Sequence, residues 1–407
     1  MNEYIKLAWR NIWRNKRRTI ITAASIFFAI FFALIMRGFQ LGSYSNMINN
    51  AVKLYSGHIQ VHATGYSDNK SINNTLKVND ELMDVLKSNE NIKQIVPRLE
   101  SFALGSSGPK TKGVLVMGIA PRKQNEMSNL SGKIIEGQYL KPGDQAVILG
   151  KKLSQYLELG VNDTIVLLSQ GYHGTTAAGK YQVKGIVEIP KPDLDNKIVY
   201  LPLSASQQMY YAFDRLTTLS INLNDHEELK NTVNQLESSL SADKYEVKSW
   251  REIMPELVQQ IESDNAGGWL MLLILYIIIL FGVFGTVMMM VAERKREFGV
   301  MIAVGMHKFK LSIIVTLEML FIGFLGLLAG IIGSMPLIYY FHINPVRLTG
   351  ELASSMESFG IEPVMPLAWE IGYYGNQTII VAVIVIVAVL YPIYSITRIK
   401  AVKAIRG

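Results

Sequence analysis

Four stretches of the chain are almost wholly apolar, and polar residues are spread through everything between them. Thr19–Met36 runs for 18 residues without a charge and Trp269–Ala292 for 24; Leu311–Phe341 is interrupted only by Glu318, and Thr378–Ile396 not at all. A helix rises 1.5 Å per residue, so about 20 such residues cross the ~30 Å of hydrocarbon in a bilayer. Each run therefore predicts a membrane helix, with spans over 19–41, 267–292, 311–341 and 378–396. The fold class is accordingly an integral membrane protein of four transmembrane α-helices. A large α+β extracytoplasmic domain, 42–266, lies between the first and second.

Within that domain the pattern changes period. Alternating or β-rich runs predict strands over His58–His62, Gly113–Ile119, Thr164–Ser169, Tyr181–Ile189, Ile198–Leu203 and Leu219–Leu223. Helical spacing predicts Asn79–Ser88, Lys151–Leu157, Ser204–Tyr211 and Glu227–Leu240, with turns at Ser107-Gly108-Pro109, Pro142-Gly143-Asp144 and Pro190-Lys191-Pro192-Asp193. Two lobes are expected. Both ends of the domain read as helix. Ser43–Lys53 continues the first span outward, and Arg251–Asp264 leads into the second. These ends are either ordinary amphipathic helices or a stalk that passes motion to the domain, and Gly267-Gly268 could break such a rod.

Charge assigns the sides. Residues 1–18, the loop 293–310 and the tail 397–407 hold fifteen basic residues against Glu3, Glu293 and Glu297. The domain 42–266 has 23 basic and 25 acidic residues, and the loop 342–377 has Arg347 against Glu351, Glu357, Glu362 and Glu370. The positive-inside rule puts both termini and 293–310 in the cytoplasm, and 42–266 and 342–377 outside. The net charge of +7 is thus a topology signal and does not call for nucleic acid. Before the first span, Ile5, Trp9, Ile12 and Trp13 share one helix face, so 1–18 reads as an amphipathic helix along the inner membrane surface rather than a cleaved signal peptide.

Composition removes several chemistries. With no cysteine there is no disulfide, thiol catalysis or Cys metal site. No phosphate loop, H-E-x-x-H or G-x-S-x-G occurs. His58 and His62 would stand about 13 Å apart on a strand, too far to share a metal. No catalytic, metal or cofactor site is expected in this chain.

The loop 293–310 begins charged and then repeats Phe298, Met301, Ile302 and Gly305 at i, i+3, i+4 and i+7. That stripe either packs on lipid and its own neighbours or lies in the groove of a cytoplasmic partner. The segment Glu293-Arg294-Lys295-Arg296-Glu297-Phe298-Gly299-Val300-Met301-Ile302-Ala303-Val304-Gly305 resembles the E-R-x-R-E-I-G-x-x-x-A-x-G signature of ATP-binding-cassette permeases of the FtsX-like group. That group includes the MacB macrolide exporters and the LolC/LolE lipoprotein-releasing permeases. Three further segments are similar to that group: Ser56-Gly57-His58-Ile59-Gln60-Val61, Val147-Ile148-Leu149-Gly150 with Leu159-Gly160-Val161-Asn162-Asp163, and the tail Ile399–Arg406.

The resemblance implies a non-catalytic permease subunit, paired with an identical or homologous second permease on a cytoplasmic ABC ATPase dimer that binds ATP and Mg. It implies that Glu293, Arg294, Arg296, Glu297, Phe298, Gly299, Val300, Met301, Ile302 and Gly305 receive the ATPase stroke and that the outer domain moves with it, a mechanism called mechanotransmission. Release of lipoproteins from the outer leaflet of the bacterial inner membrane is the leading function. Export of amphiphilic small molecules or peptides, and regulation of a cell-wall hydrolase, are the alternatives. Only 18 residues precede the first span, which favours the lipoprotein-releasing branch, whereas the loop favours the exporter branch.

Inside the membrane, Gly323, Gly326, Gly330 and Gly333 share one face of the third span, a small-residue face suited to close helix packing. The second or fourth span is the expected partner, with Gly282 and Gly285 as a matching face. Glu318 reads either as a functional carboxylate or as the partner of a nearby basic residue. Phe28, Phe31 and Phe32 are candidates for lipid contact, and the resemblance implies acyl-chain contact where the first and second spans meet.

Overall fold

The computed structural model describes residues 2–14, 16–351, 353, 356 and 363–399. The chain forms two compact units. One comprises Met1–Asn46, Gln260–Arg347 and Val364–Gly407; the other comprises Met47–Gln259 and Leu348–Pro363. Most of the family-like tail Ile399–Arg406, with Lys400, Lys403 and Arg406, lies outside the described residues, as do Glu357 and Glu362.

The first unit is helical. Thr19–Ala51, Pro255–Glu293, Lys308–Ile343 and Ile371–Thr397 are long and apolar enough to cross a membrane. A helix satisfies its own backbone hydrogen bonds, so it can stand in hydrocarbon. The inward core joins Ile26, Ile30 and Leu34 to Val283 and Val287, Met319 and Ile322, and Val381 and Val385. Large apolar residues such as Leu270, Ile278, Phe281, Phe324 and Ile379 remain exposed on the opposite faces, as lipid contact requires. The amphipathic helix Asn2–Arg14 buries Ala8 and Ile12 and leaves Trp13 exposed. Trp9 meets Phe321 of the third span edge to face at 5.8 Å, and Thr19 Oγ1 donates to the Ile12 carbonyl at 2.8 Å.

The glycine face of the third span has a different partner from the one its spacing suggested. Gly323 does face the fourth span at Val385, but Gly326, Gly330 and Gly333 lie against Ala23, Ile26, Phe27 and Ile30 of the first. A side chain added at Gly326 or Gly330 would meet backbone carbonyl oxygens of Ala23 or Phe27 at 2.7–2.8 Å, so helix proximity is what excludes it. A side chain added at Gly282 or Gly285 would meet nothing within 4 Å, so among the described residues they form no close-packed partner face.

The second unit is built on β3, Ile92–Ser107, a strand long enough to serve two sheets. Its C-terminal half pairs with β4 (Lys110–Ile119) and β7 (Thr164–Gln170). The ring continues from β4 to β9 (Ile198–Pro202), β6 (Ala146–Gly150) and β8 (Thr176–Val187), and β8 pairs β7, closing a six-stranded barrel. Leu99, Val116, Val147, Ile165, Val183 and Val199 fill it. The N-terminal half of β3 pairs instead with β11 (Thr218–Leu223), followed by β1 (Ile59–Ala63) and β12 (Tyr245–Ser249), all antiparallel. Three short strands complete the unit: β5 (Ile134–Gly137) pairs β8, and β2 (Leu76–Lys77) pairs β10 (Arg215–Leu216). Helices Asp80–Ser88 and Leu229–Ser239 cover the open sheet through Leu82, Leu86 and Leu236. Burial pushes the His62 imidazole below its ordinary value, and its Nδ1 lies 2.8 Å from the Thr217 carbonyl, so it is a core histidine.

The helix expected over Arg251–Asp264 is divided. Trp250–Ile253 is a short turn held by a Ser249/Glu252 capping box. Met254 leaves helical geometry before a new helix starts at Pro255. Proline disfavours helix in the residue before it and suits the first helical position. From there the helix is unbroken to Glu293, through Gly267-Gly268.

Gly330→Leu should separate the third span from the first and lower stability in detergent by at least ~1–3 kcal/mol. Gly282→Ala should leave it within about 0.5 kcal/mol. Denaturant titration of the two variants checks this.

Candidate functional site

The basic loop between the second and third spans is a tight helical elbow. The second span ends at Glu293, Arg294 forms the bend (φ −94, ψ 4), and a short helix runs from Lys295 to Ala303. Gly305, at φ +106, closes it. The Gly305 N–H bonds the Ile302 carbonyl and the Met306 N–H bonds the Met301 carbonyl, so the end is satisfied without a side-chain cap. The third span then begins at Lys308.

The bend is tied by charge. Arg294 Nη1 donates to both carboxylate oxygens of Glu318, at 2.8 and 2.7 Å, with each side chain at most 4% exposed. Glu318 is thus paired with a basic residue of the loop, the simpler of its two readings. Arg294 Nε also donates to Glu297 at 3.3 Å, and its guanidinium lies 5.1 Å from the Phe298 ring centre. One arginine therefore joins the end of the second span, the elbow helix and the third span. Glu297 in turn lies 3.7 Å from Arg14 of the N-terminal helix.

Of the two readings of the apolar stripe, the structure shows the one in which it packs on its own neighbours. Phe298 is buried with Val291, Leu311, Val315 and Ile396, and Met301 and Ile302 pack beside them. Gly299 is also buried. The stripe is the elbow's own core, and the neighbouring spans supply the surface that buries it. The outward face carries Lys295, Arg296, Val300, Ala303 and Val304. Val304 is 85% exposed. Phe309, just beyond, is exposed as well. Glu293 and Glu297 are also on the accessible side.

A second polar group joins the first two spans. Arg37 Nη1 donates to Gln40 Oε1 at 2.5 Å and to Asn265 Oδ1 at 2.9 Å. Gln40 donates to the Tyr44 hydroxyl, which donates to Asp264 at 2.6 Å, and Arg37 also covers the Trp269 ring at 5.1 Å. Arg37 has no part in the readings made from the sequence. Its spacing with Gln40 and Tyr44 (i, i+3, i+7) was the available signal for a shared polar face. Phe28 and Phe32 stack on each other at 6.0 Å and are exposed; Phe31 stacks on Phe27, whose ring fills the groove at Gly333.

Residues 19–239 match the family of the MacB-like periplasmic core domain, and residues 269–401 match the FtsX-like permease C-terminal family. The chain is similar to the lipoprotein-releasing system transmembrane protein LolC of Xylella fastidiosa (strain Temecula1), with 26% identity over 255 residues. That match spans 60% of this chain and 60% of the relative's length. It is similar to LolE of Haemophilus influenzae at 21% identity over 347 residues, 82% of this chain and 81% of that one. Among solved structures it is similar to the periplasmic region of MacB from Actinobacillus actinomycetemcomitans, at 15% identity over 52% of this chain and 95% of that one, with a TM-score of 0.35.

Removing one partner of a buried pair strands the other charge. Glu318→Ala should therefore cost about 3–5 kcal/mol, while Arg294→Met with Glu318→Leu should recover most of that loss. A double-mutant cycle on thermal unfolding reads the difference. Additive losses would contradict the pairing.

Proposed function

The chain belongs to the FtsX-like permeases and carries a MacB-like periplasmic core domain; from that membership we propose that its elbow helix is the surface through which an ATPase drives it. Members of this family are non-catalytic transmembrane subunits, and an ABC permease implies an ATPase partner. The chain is a multi-pass membrane protein with a periplasmic domain. The excess of basic residues at 1–18, 293–310 and 397–407 supports a cytoplasmic position for both termini and the elbow in a bacterial inner membrane.

One observation carries the reading. Val300, on the short helix, and Val304, at its C-cap, stand exposed, while the helix's other side is locked by Phe298 and Arg294. A helix face of this kind suits a groove, with the valines as anchors and Lys295 and Arg296 setting orientation. Because the inner side is pinned, a push on the outer side would reach the second and third spans through the Arg294–Glu318 pair. The polar group linking Arg37 and Tyr44 to Asp264 and Asn265 would let the first and second spans move as a unit. ATP and Mg would belong to the ATPase dimer, and a second permease, identical or homologous, would complete the complex.

Among cargoes, lipoproteins released from the outer leaflet fit best with the LolC and LolE relatives. Recovery of lipidated proteins with the complex purified from native membrane tests the cargo. Coupling is tested by Val304→Glu and Val300→Glu. Each removes an apolar anchor worth roughly 1.5–3 kcal/mol and buries an unpaired carboxylate in its place. ATPase copurification should fall about tenfold or more, while membrane insertion and unfolding temperature stay unchanged. Phe298→Ala should instead destabilise the permease itself by about 3–5 kcal/mol. Full ATPase recovery with both glutamate variants would remove this face from the coupling.

A further inference from the structure

A cleft in the periplasmic unit gathers three lysines that the fold leaves unpaired. It has a volume of about 300 Å³ and is lined by Lys70, Lys191 and Lys197 together with Tyr55, Phe102 and Leu115. All three lysines are exposed. Among the described residues, none of their ammonium groups has an ion-pair or hydrogen-bond partner. Elsewhere on the barrel the pattern is different: Lys110 meets Glu158, Lys151 meets Glu188 and Lys184 meets Asp144.

The carboxylates of the cleft do not cancel these charges. Glu100 lines it, but its side chain is only 11% exposed, with Arg98 at 3.8 Å and a hydrogen bond to Tyr55, so its charge is met from within the protein. Asp193 and Glu256 also line the cleft. Against those two, the lysines leave one positive charge. Glu256 lies in the first turn of its helix, where the free N–H groups already favour a carboxylate. The lysines stand on fixed backbone. Asp195 is 2% exposed and accepts from the Ile189 N–H at 2.9 Å and the Lys152 N–H at 2.7 Å, which pins the loop that carries Lys191. The Leu115 N–H donates to the Lys197 carbonyl at 2.7 Å, which seats Lys197 beside β4. A site ordered in advance loses less entropy on binding.

The cleft continues into an apolar strip. Phe102 of β3 and Leu115 of β4 are register partners, and Phe102 is exposed. Side chains alternate on a strand, so Leu104 follows Phe102 on the outer face of the barrel. Leu104 pairs Gly113 of β4 on one side and Leu168 of β7 on the other, and Leu168 pairs Ala178 of β8. Leu104 and Leu168 are exposed, as are Gly113 and Ala178. A side chain added at Gly113 would meet nothing within 4 Å. The row is thus two exposed leucines between two small residues, about 14 Å across four strands, and it carries no charge.

We propose that this face binds an amphiphile of the fatty-carboxylate class, with its head held by the lysines of the cleft and its tail lying over Phe102, Leu104 and Leu168. The surplus of one positive charge selects a singly charged anionic head over a neutral or cationic one. The uncharged row selects a ligand with a tail over a bare anion. A role for this ligand as cargo rests on the permease reading; the binding chemistry does not.

The test uses the full chain in phosphatidylcholine nanodiscs and decanoate bearing a diazirine at the end of its tail. After illumination, labelled peptides are mapped by mass spectrometry. Label is expected on the peptides of β3, β4 and β7, competed by decanoate and not by decanol, decylamine or inorganic phosphate at the same concentration. Lys191→Glu with Lys197→Glu should lower that label about tenfold and abolish the preference for decanoate over decanol. Both positions are exposed, so the unfolding temperature should not change, and Lys191→Arg with Lys197→Arg should keep the label. Leu104→Ser should lower it severalfold, which keeps the test decisive should the glutamate variant fold poorly. Label confined to the spans, competition by decanol or inorganic phosphate equal to that by decanoate, or label unaffected in a folded glutamate variant or in Leu104→Ser would overturn the proposal. ATPase copurification is read in the same preparations, so loss of coupling and loss of this site fail separately.

Discussion

A buried arginine cannot be left alone, and the architecture around the elbow depends on how this one is satisfied. Arg294 sits where the second span ends, and both oxygens of Glu318 in the third span accept from it. The attraction of two ions in low dielectric must offset a desolvation cost of several kcal/mol for each, so the pair persists only in one geometry. That geometry sets the bend at Arg294, and the bend decides which side of the elbow helix faces the spans. Phe298 then falls into the core formed by Leu311, Val315 and Ile396, and Val300 and Val304 are left outside. The face left outside, which we propose meets the ATPase, is thus a consequence of one ion pair.

The periplasmic domain rests on a similar economy. A single long strand, β3, is shared between a closed barrel and an open sheet. Closure removes the barrel's unpaired edges, which would otherwise invite pairing with another chain. The same strand places Leu99 and Ala103 in the barrel core and leaves Phe102 and Leu104 exposed on its outer face.

Much of this was legible in the residues. Charge-free runs marked the spans, and β-rich stretches such as Thr164–Ser169 and Ile198–Leu203 fall on β7 and β9. The intramembrane Glu318 suggested a basic partner, and Arg294 is that partner. Other features were hidden for physical reasons. β3 contains Pro97, Gly105 and several serines, so its composition does not read as a strand of 16 residues. Spacing showed that Phe298, Met301 and Ile302 share a face, but periodicity does not say whether a face turns to a partner or to the chain's own core. The third span's glycines posed the same problem: their row was plain, its neighbour was not. Contacts between residues far apart in sequence, such as Tyr44 with Asp264, have no local signature at all.

The absence of cysteine gives the central claim a direct measurement. Single cysteines at Val304 and at Phe298 can each be paired with cysteines introduced along the groove of the partner ATPase, and a short bifunctional maleimide applied to the assembled complex. Val304→Cys should crosslink to the ATPase in high yield, and Phe298→Cys should not, because its side chain is enclosed by the permease. Crosslinking through Phe298→Cys with none through Val304→Cys would mean that the elbow presents the opposite face, and that the Arg294–Glu318 pair does not set the coupling surface.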